Sequence, residues 1–151
     1  MAFISKKIMQ YQNVKTYYDL RDSAFEIINL MSQPIGQVCG PITWGGTRNI
    51  EINIERFKET ISKLVARGDN IFNQIPFEKP MQRIKEASRL PEKEENDRLL
   101  NEFYLPIFES GFVKSIYFIH GWESSYGATW ERKQAIRLGL NTIYLPSDFI
   151  S

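Results

Sequence analysis

The sequence predicts a doubly wound α/β domain, in which helices cover both faces of a parallel β-sheet. Short apolar runs alternate with amphipathic segments of helical periodicity, and this alternation is typical of strand–helix–strand units with right-handed crossovers. The apolar run at residues 113–119 is typical of a strand that is covered on both faces. Hydrophobic residues make up 42% of the 151 residues, which is sufficient to form a buried core.

The first predicted elements are a helix, a strand and a second helix. Residues 16–31 carry apolar side chains at helical spacing, and Gln33-Pro34 ends that pattern. This extra amino-terminal helix either braces the sheet or mediates dimerisation, and the sequence leaves both interpretations open. Residues 35–39 are a strand candidate, and residues 50–67 have the periodicity of an amphipathic helix that Gly68 ends.

The remaining elements continue the alternation: a strand at 70–74, a short helix at 81–88, a longer helix at 92–110, strands at 113–119 and 142–145, and a helix at 128–138 between them. Pro106 must kink or fray the longer helix, because proline lacks a backbone N–H. We therefore expect a helical extension at residues 1–33 and one α/β domain at residues 34–151.

Charge and composition exclude several classes of function. Lys and Arg number 19 and Asp and Glu 18, so the net charge of +1 does not indicate a nucleic-acid-binding surface. The one cysteine excludes an internal disulfide, and with the one histidine it excludes a His/Cys zinc site. The amino-terminal residues are too polar for a signal peptide, and no apolar run reaches the length of a membrane span. We expect a cytoplasmic protein without a metal, a cofactor, a nucleic-acid partner or a membrane partner.

Two loops are the expected positions for a ligand, which in doubly wound sheets binds beyond the carboxyl ends of the strands. The first loop, at residues 40–49, contains Gly40, Gly45 and Gly46, which let the backbone approach a ligand closely. This loop lacks the Lys-Ser/Thr pair of a phosphate-binding P-loop. An ordinary strand-to-helix turn is the alternative interpretation.

The second loop, at residues 120–127, leads into a helix. Ser124 and Ser125 precede Gly127, and they form either an N-cap or a binding site for an oxyanion or a phosphate. Glu131 lies about one turn into the helix, whose dipole favours an ionised carboxylate. Such a carboxylate could act as a nucleophile, and the alternative is an acid that only satisfies the helix dipole.

Two motifs, taken together, resemble those of a known superfamily. Residues 39–46 read Cys-Gly-Pro-Ile-Thr-Trp-Gly-Gly, and residues 121–131 read Gly-Trp-Glu-Ser-Ser-Tyr-Gly-Ala-Thr-Trp-Glu, followed by Ala-Ile-Arg-Leu-Gly at 135–139. The pattern resembles the nucleoside 2-deoxyribosyltransferase-like superfamily and, within it, the 2′-deoxynucleoside 5′-phosphate N-hydrolases. The resemblance covers residues 35–146 and rests on the two motifs occurring together.

The resemblance implies a fold, an activity and a set of site residues. The fold is a compact flavodoxin-like, Rossmann-like domain of three layers, and the activity is cleavage or transfer of the N-glycosidic bond of a (deoxy)nucleoside or its 5′-monophosphate. Glu131 matches the family nucleophile, and Ser125 and Gly127 match the residues that bind the 5′-phosphate. Residues of the first loop would surround the nucleotide: Gly40, Ile42, Gly45 and Gly46, with Arg48 as a phosphate or rim contact.

The chemistry of glycosidic cleavage agrees with these residues. Breaking the C1′–N bond builds positive charge on the sugar, which a carboxylate stabilises or captures covalently. The departing base also needs a proton, for which His120 is the candidate acid, and a purely structural histidine is the alternative. Trp44 is the preferred residue for stacking on the base.

Several other polar positions carry expectations of their own. Ser147 and Asp148 follow the last strand, so in a homodimer or larger homo-oligomer they could complete the partner's site, with a polar tail as the alternative. Cys39 is expected to be a small buried hydrophobe. The charged run at residues 92–95 is expected to be a solvated helix start.

Lys114 departs from the family pattern, because it stands where relatives carry an aspartate near the sugar. A cation there would reverse the sign of the local field. This departure favours the alternative function, a nucleotide-binding or sensing module with weak or absent catalysis. A structural oligomer with a vestigial crevice is a third interpretation.

Overall fold

The computed structural model describes residues 13–43 and 45–150, which divide into two compact units. We call residues 13–32 and 74–110 the helical unit, and residues 33–73 and 111–150 the sheet unit. The sequence predicts one continuous domain after residue 33. In the structure, residues 74–110 instead group with residues 13–32.

The elements follow one another as α1 (Tyr17–Ile28), β1 (Ile35–Cys39), α2 (Ile50–Ala66), α3 (Glu78–Ala87), α4 (Glu92–Leu99), a π-helical turn (Leu100–Tyr104), α5 (Leu105–Glu109), β2 (Val113–Phe118), α6 (Tyr126–Arg137) and β3 (Asn141–Tyr144). Short 3-10 turns lie at Ile75–Phe77 and Trp122–Ser124. In the described part of the chain, no helix combines the length and the apolar character that crossing a membrane requires.

The sheet unit contains a parallel sheet in the order β1–β2–β3, which confirms the predicted mixed α/β class. Ile71 forms a parallel bridge with Gly36, and within the described residues this bridge is all that forms of the strand predicted at 70–74. Gly36 also faces Ser115 of β2 on its other side. After β1 the chain first passes Ile71 along one edge of β1 and later places β2 along the other edge. Strand order therefore reverses at β1.

Local capping explains where the helices of the sheet unit begin and end. The Asn49 side chain accepts a hydrogen bond from the Ile52 N–H at 3.0 Å, which starts α2. Gly68 follows that helix at φ 101°, a conformation in which glycine carries no Cβ penalty. Gly139 ends α6 in the same way, at φ 70°.

In the helical unit, α1 packs through its apolar face against the segment that contains the π-helical turn. Leu20, Ala24 and Ile28 of α1 are completely buried, as are Phe103 and Ile107 of the facing segment. The sequence offered bracing of the sheet or dimerisation as the roles of α1. In the structure, α1 packs against other helices of the helical unit.

The predicted irregularity of the 92–110 helix is confirmed at Pro106. Regular α-helix ends at Leu99, one π-helical turn spans Leu100–Tyr104, and α5 then contains the proline near its start. Proline has no N–H for the carbonyl of Glu102, and its ring crowds that carbonyl. The backbone therefore forms one wider, π-helical turn just before the proline.

Residues 92–94 are exposed, as expected for a solvated helix start, but Glu95 is buried and corrects that expectation. Its side chain is 1% exposed, and the Tyr17 hydroxyl donates to its Oε1 at 2.8 Å. The Arg98 guanidinium lies 3.7 Å from the other carboxylate oxygen. Burial, reinforced by the carboxylate, raises the pKa of Tyr17 well above its usual value, so the hydroxyl remains a donor. A hydrogen bond and an ion pair thus compensate a buried charge.

We expect Tyr17→Phe to lower the free energy of unfolding by about 1–3 kcal/mol, because it removes the donor to a buried carboxylate. Urea denaturation followed by circular dichroism measures the loss. Tyr18→Phe is the matched control on the same helix, since Tyr18 is 51% exposed, and it should change the stability little. Equal losses in the two variants would contradict a stabilising contact between Tyr17 and Glu95.

Candidate functional site

The loops that follow β1 and β2 are in direct contact. The Gly46 N–H donates to Ser124 Oγ at 2.8 Å, and Ser124 Oγ donates to the Gly121 carbonyl at 2.9 Å. Both loops lie at the carboxyl end of the parallel sheet, beside the strand at which strand order reverses. That edge is where doubly wound sheets bind their ligands.

The glycines of the first loop permit close contacts within the protein. Gly45 and Gly46 have φ values of 77° and 57°, and a Cβ added to Gly45 would collide with the Ser124 carbonyl. A Cβ on Gly40 would lie 2.9 Å from Ile119 Cδ1. Chain geometry and packing therefore account for these glycines without a ligand.

Asn53 of α2 organises the first loop and is absent from the predicted site residues. Its Nδ2 donates to the carbonyls of Ile42 and Gly45 at 3.1 and 3.2 Å. Its Oδ1 accepts from the Thr47 N–H at 3.1 Å and from the Thr47 hydroxyl at 2.7 Å. A polar residue one turn before Phe57, on the buried face of an amphipathic helix, is the sequence feature that could have identified it.

Ser125 is the N-cap of α6, one of the two roles that the sequence left open. Its Oγ accepts a hydrogen bond from the Ala128 N–H at 3.1 Å, and the residue is 7% exposed. Gly127 lies in the first turn of the helix. The positive end of the α6 dipole is therefore at the second loop.

Glu131 points toward the end of β1 and not into bulk solvent. Its side chain is 6% exposed, and the Cys39 thiol donates to its Oε2 at 2.9 Å. Cys39 is the last residue of β1 and directly precedes Gly40. The carboxylate therefore lies at the base of the first loop.

The pair changes the expected role of Cys39. Burial, followed by the charge of Glu131 and its hydrogen bond, raises the pKa of Cys39 well above its usual value. A protonated, buried thiol is a poor nucleophile. Cys39 is buried as expected, but it acts as a hydrogen-bond donor and not only as a small hydrophobe.

His120 lies in a different environment from Glu131. It is exposed and, with Arg56 and Ser147, lines a small cavity of about 10 Å³, room for roughly one water molecule. Within the described residues, that lining includes neither Glu131 nor the first loop. Asp148, which follows Ser147 in the chain, is exposed. The assignment of His120 as the acid stays a prediction.

The other predicted first-loop residues differ in their surroundings. Ile42 is half-buried, and its carbonyl is held by Asn53. Arg48 is exposed at φ 63°. Trp44 lies outside the described residues.

Lys114 lies at the amino end of β2 and is exposed. Since a strand rises about 3.3 Å per residue, the Lys114 backbone is roughly 16 Å from Ile119, which directly precedes the second loop. Lys114 therefore cannot contact a sugar at the carboxyl end of the sheet. Its positive charge has no direct effect on the electrostatic field there.

No family model, curated protein or solved structure matches the chain. Among the described residues, no group of three His, Cys, Asp or Glu side chains is arranged to hold a metal ion. The candidate site is therefore defined by its geometry: two loops in contact at the carboxyl end of the sheet, and the Cys39–Glu131 pair beneath them.

We expect Gly45→Ala to destabilise the protein more than Gly68→Ala. Both positions have positive φ, where an added Cβ costs about 1–2 kcal/mol. Only at Gly45 does the Cβ also meet the backbone of the second loop, whereas nothing lies within 4 Å of it at Gly68. Urea denaturation of the two variants measures the difference, and equal losses would argue against contact between the loops.

We expect the Cys39–Glu131 contact to govern alkylation of the protein by iodoacetamide. Since the chain has one cysteine, the labelling rate of the folded protein reports Cys39 alone. Glu131→Gln removes the negative charge, so the pH at which labelling accelerates should fall relative to wild type. Because Cys39 stays buried in this variant, that pH should still be higher than the pH at which labelling of a free thiol accelerates. The rate is measured against pH, and an unchanged profile in Glu131→Gln would contradict the contact.

Proposed function

We propose that the sheet unit is a flavodoxin-like domain that cleaves or transfers the N-glycosidic bond of a nucleoside or nucleoside 5′-monophosphate. In this proposal Glu131 is the nucleophile, and the two loops at the carboxyl end of the sheet hold the substrate.

The flavodoxin-like arrangement is supported by strand order and by the placement of two helices. Arg67, which caps α2, lies 5.9 Å over the Tyr117 ring. Glu131 of α6 contacts Cys39, whose register partner is Phe118. Because neighbouring strand residues point to opposite faces, these contacts favour helices on both faces of the sheet.

The hydrogen bond between Cys39 and Glu131 is the observation that carries the proposed activity. It holds a carboxylate at the carboxyl end of β1, where strand order reverses. An anion at this position can face the anomeric carbon of a sugar that lies against the first loop. The likeness of both loops to the N-glycosidase motifs supports the same assignment.

The proposed reaction proceeds in two steps. A Glu131 oxygen forms a bond to C1′ while the C1′–N bond breaks, and the bonding pair leaves with the base, which takes up a proton from an acid or from solvent. Water, or the nitrogen of a second base, then attacks C1′, gives up one proton in return and releases the carboxylate. Water gives hydrolysis and a second base gives transfer.

The amino-terminus of α6 would bind the 5′-phosphate of a nucleotide substrate. Its dipole presents positive charge at Ser125, and the glycine at position 127 lets an anion approach the backbone. Arg48 is exposed on the first loop and could contact the phosphate at the rim.

One observation favours the alternative function of a nucleotide-binding module without catalysis. Glu131 is only 6% exposed, and its Oε2 already accepts the Cys39 thiol. A nucleophile needs at least one oxygen that can reach C1′. The experiment must therefore separate binding from bond cleavage.

We expect the purified protein to release free base from a nucleoside or nucleoside 5′-monophosphate, and Glu131→Gln to lower kcat at least about 10³-fold. A substrate panel with chromatographic detection of the base measures this. Glu55→Gln, an exposed acid of α2, is the control and should retain wild-type turnover. Unchanged turnover in Glu131→Gln would remove Glu131 from the mechanism. A nucleotide that raises the Tm but is never cleaved would instead favour the binding module.

A further inference from the structure

The hydrogen bond from Cys39 makes the two carboxylate oxygens of Glu131 unequal. The thiol donates to Oε2 at 2.9 Å. In both steps of the proposed reaction, a bond to C1′ forms or breaks at one carboxylate oxygen only. The partner of Oε2 therefore bears on which oxygen reacts and on how the carboxylate is oriented.

The donor is held rigidly at the end of β1. Cys39 is 1% exposed and is in register with Phe118 of β2. Its carbonyl accepts a hydrogen bond from the Ile119 N–H at 2.9 Å, which fixes the backbone at this point. A cysteine side chain rotates about one bond between heavy atoms, whereas glutamate rotates about three. The thiol therefore restrains the carboxylate, and a strand is a precise support for a group of this kind.

The electrostatic surroundings give the thiol a second effect. Among the described residues of the sheet unit, Glu131 is the one charged side chain that is buried. β1 contains no ionisable side chain besides Cys39. Arg132 of α6 is half-buried and donates to the Tyr144 hydroxyl at 2.8 Å. The other charged groups of the neighbouring elements and loops are exposed: Arg48, Lys114, His120, Glu123, Lys133 and Arg137. The buried thiol is thus a neutral donor to a buried anion, and such a bond favours the ionised form of the carboxylate.

We propose that Cys39 is a positioning residue for Glu131: its thiol holds Oε2, so that Oε1 forms the bond to C1′. The thiol keeps its proton in both steps, so Cys39 is neither a nucleophile nor an acid in the reaction. In the glycosyl ester, Oε2 is the ester carbonyl oxygen. When water or a second base attacks C1′, the electron pair of the C1′–Oε1 bond returns to the carboxylate, and the hydrogen bond to Oε2 strengthens. This inference rests on the proposed function of Glu131.

The dependence of kcat/KM on pH tests the inference. The substrate is the nucleoside or 5′-monophosphate of the panel from which wild type releases base fastest. Cys39→Ala removes the donor, so Glu131 should take up a proton at higher pH, and the midpoint of the acidic limb should rise by about one pH unit or more. Cys39→Ser keeps a donor and should keep the midpoint near that of wild type. Above the limb, kcat of Cys39→Ala should stay about 10-fold or more below wild type with little change in KM, because the carboxylate is less well oriented.

Val38→Ala is the matched control for a purely structural effect. Val38 is the neighbouring residue of β1, is 0% exposed and points to the opposite face of the sheet. This variant should lower the Tm without moving the acidic limb. If Cys39→Ala likewise lowers the Tm and leaves the limb in place, the positioning role is overturned. Cys39→Val serves as the second variant if the alanine variant does not fold, since valine fills the space of the thiol and has no donor.

The outcomes distinguish this inference from the proposed function. Loss of base release in Glu131→Gln, together with an unmoved acidic limb in Cys39→Ala, overturns the role of Cys39 and leaves the nucleophile in place. If wild type releases no base from any substrate, the proposed reaction fails, and an NMR titration of protein labelled with ¹³C at its glutamate carboxyl groups decides whether the thiol holds the carboxylate. The Glu131 signal is the one that Glu131→Gln lacks. A higher titration midpoint in Cys39→Ala than in wild type supports that hold, and equal midpoints overturn it.

Discussion

The hydrogen bond from the Cys39 thiol to the Glu131 carboxylate is the contact on which the candidate site depends. Burying a carboxylate is costly unless a donor accompanies it, and here the donor is the terminal residue of a strand. The bond links α6 to β1 beneath the first loop. It thereby sets the position at which α6 begins. Ser124, just before that helix, accepts a hydrogen bond from the first loop.

The loops themselves form a connected set of internal contacts. Asn53 uses both atoms of its amide on the first loop, and Ser124 joins that loop to the second. Two glycines with positive φ allow this close approach. Groups held by such contacts have a fixed geometry, so a ligand that bound there would cost less conformational entropy.

Local pattern predicted the elements well and the tertiary partners poorly. Periodicity, caps and terminal glycines are local properties, and they located strand β1 and the ends of α2 and α6. The burial of Glu95 depends on Tyr17, which is far away in sequence, and a run of charges gives no sign of such a partner. The strand expected at 70–74 is reduced to one bridge, since an apolar run does not specify how many residues pair. In the candidate site, the loop motifs pointed to Glu131 as a candidate residue, whereas the role of Asn53 follows from contacts that the sequence alone does not reveal.

The position of the thiol also makes the candidate site open to infrared spectroscopy. An S–H bond vibrates in a spectral window that other protein groups leave almost empty, and its frequency falls when the bond donates to a stronger acceptor. This chain has a single sulfhydryl, so one absorption band would belong to Cys39 alone. Any step that neutralises the neighbouring oxygen, such as an ester bond to a sugar, would shift that band without a label or a substitution.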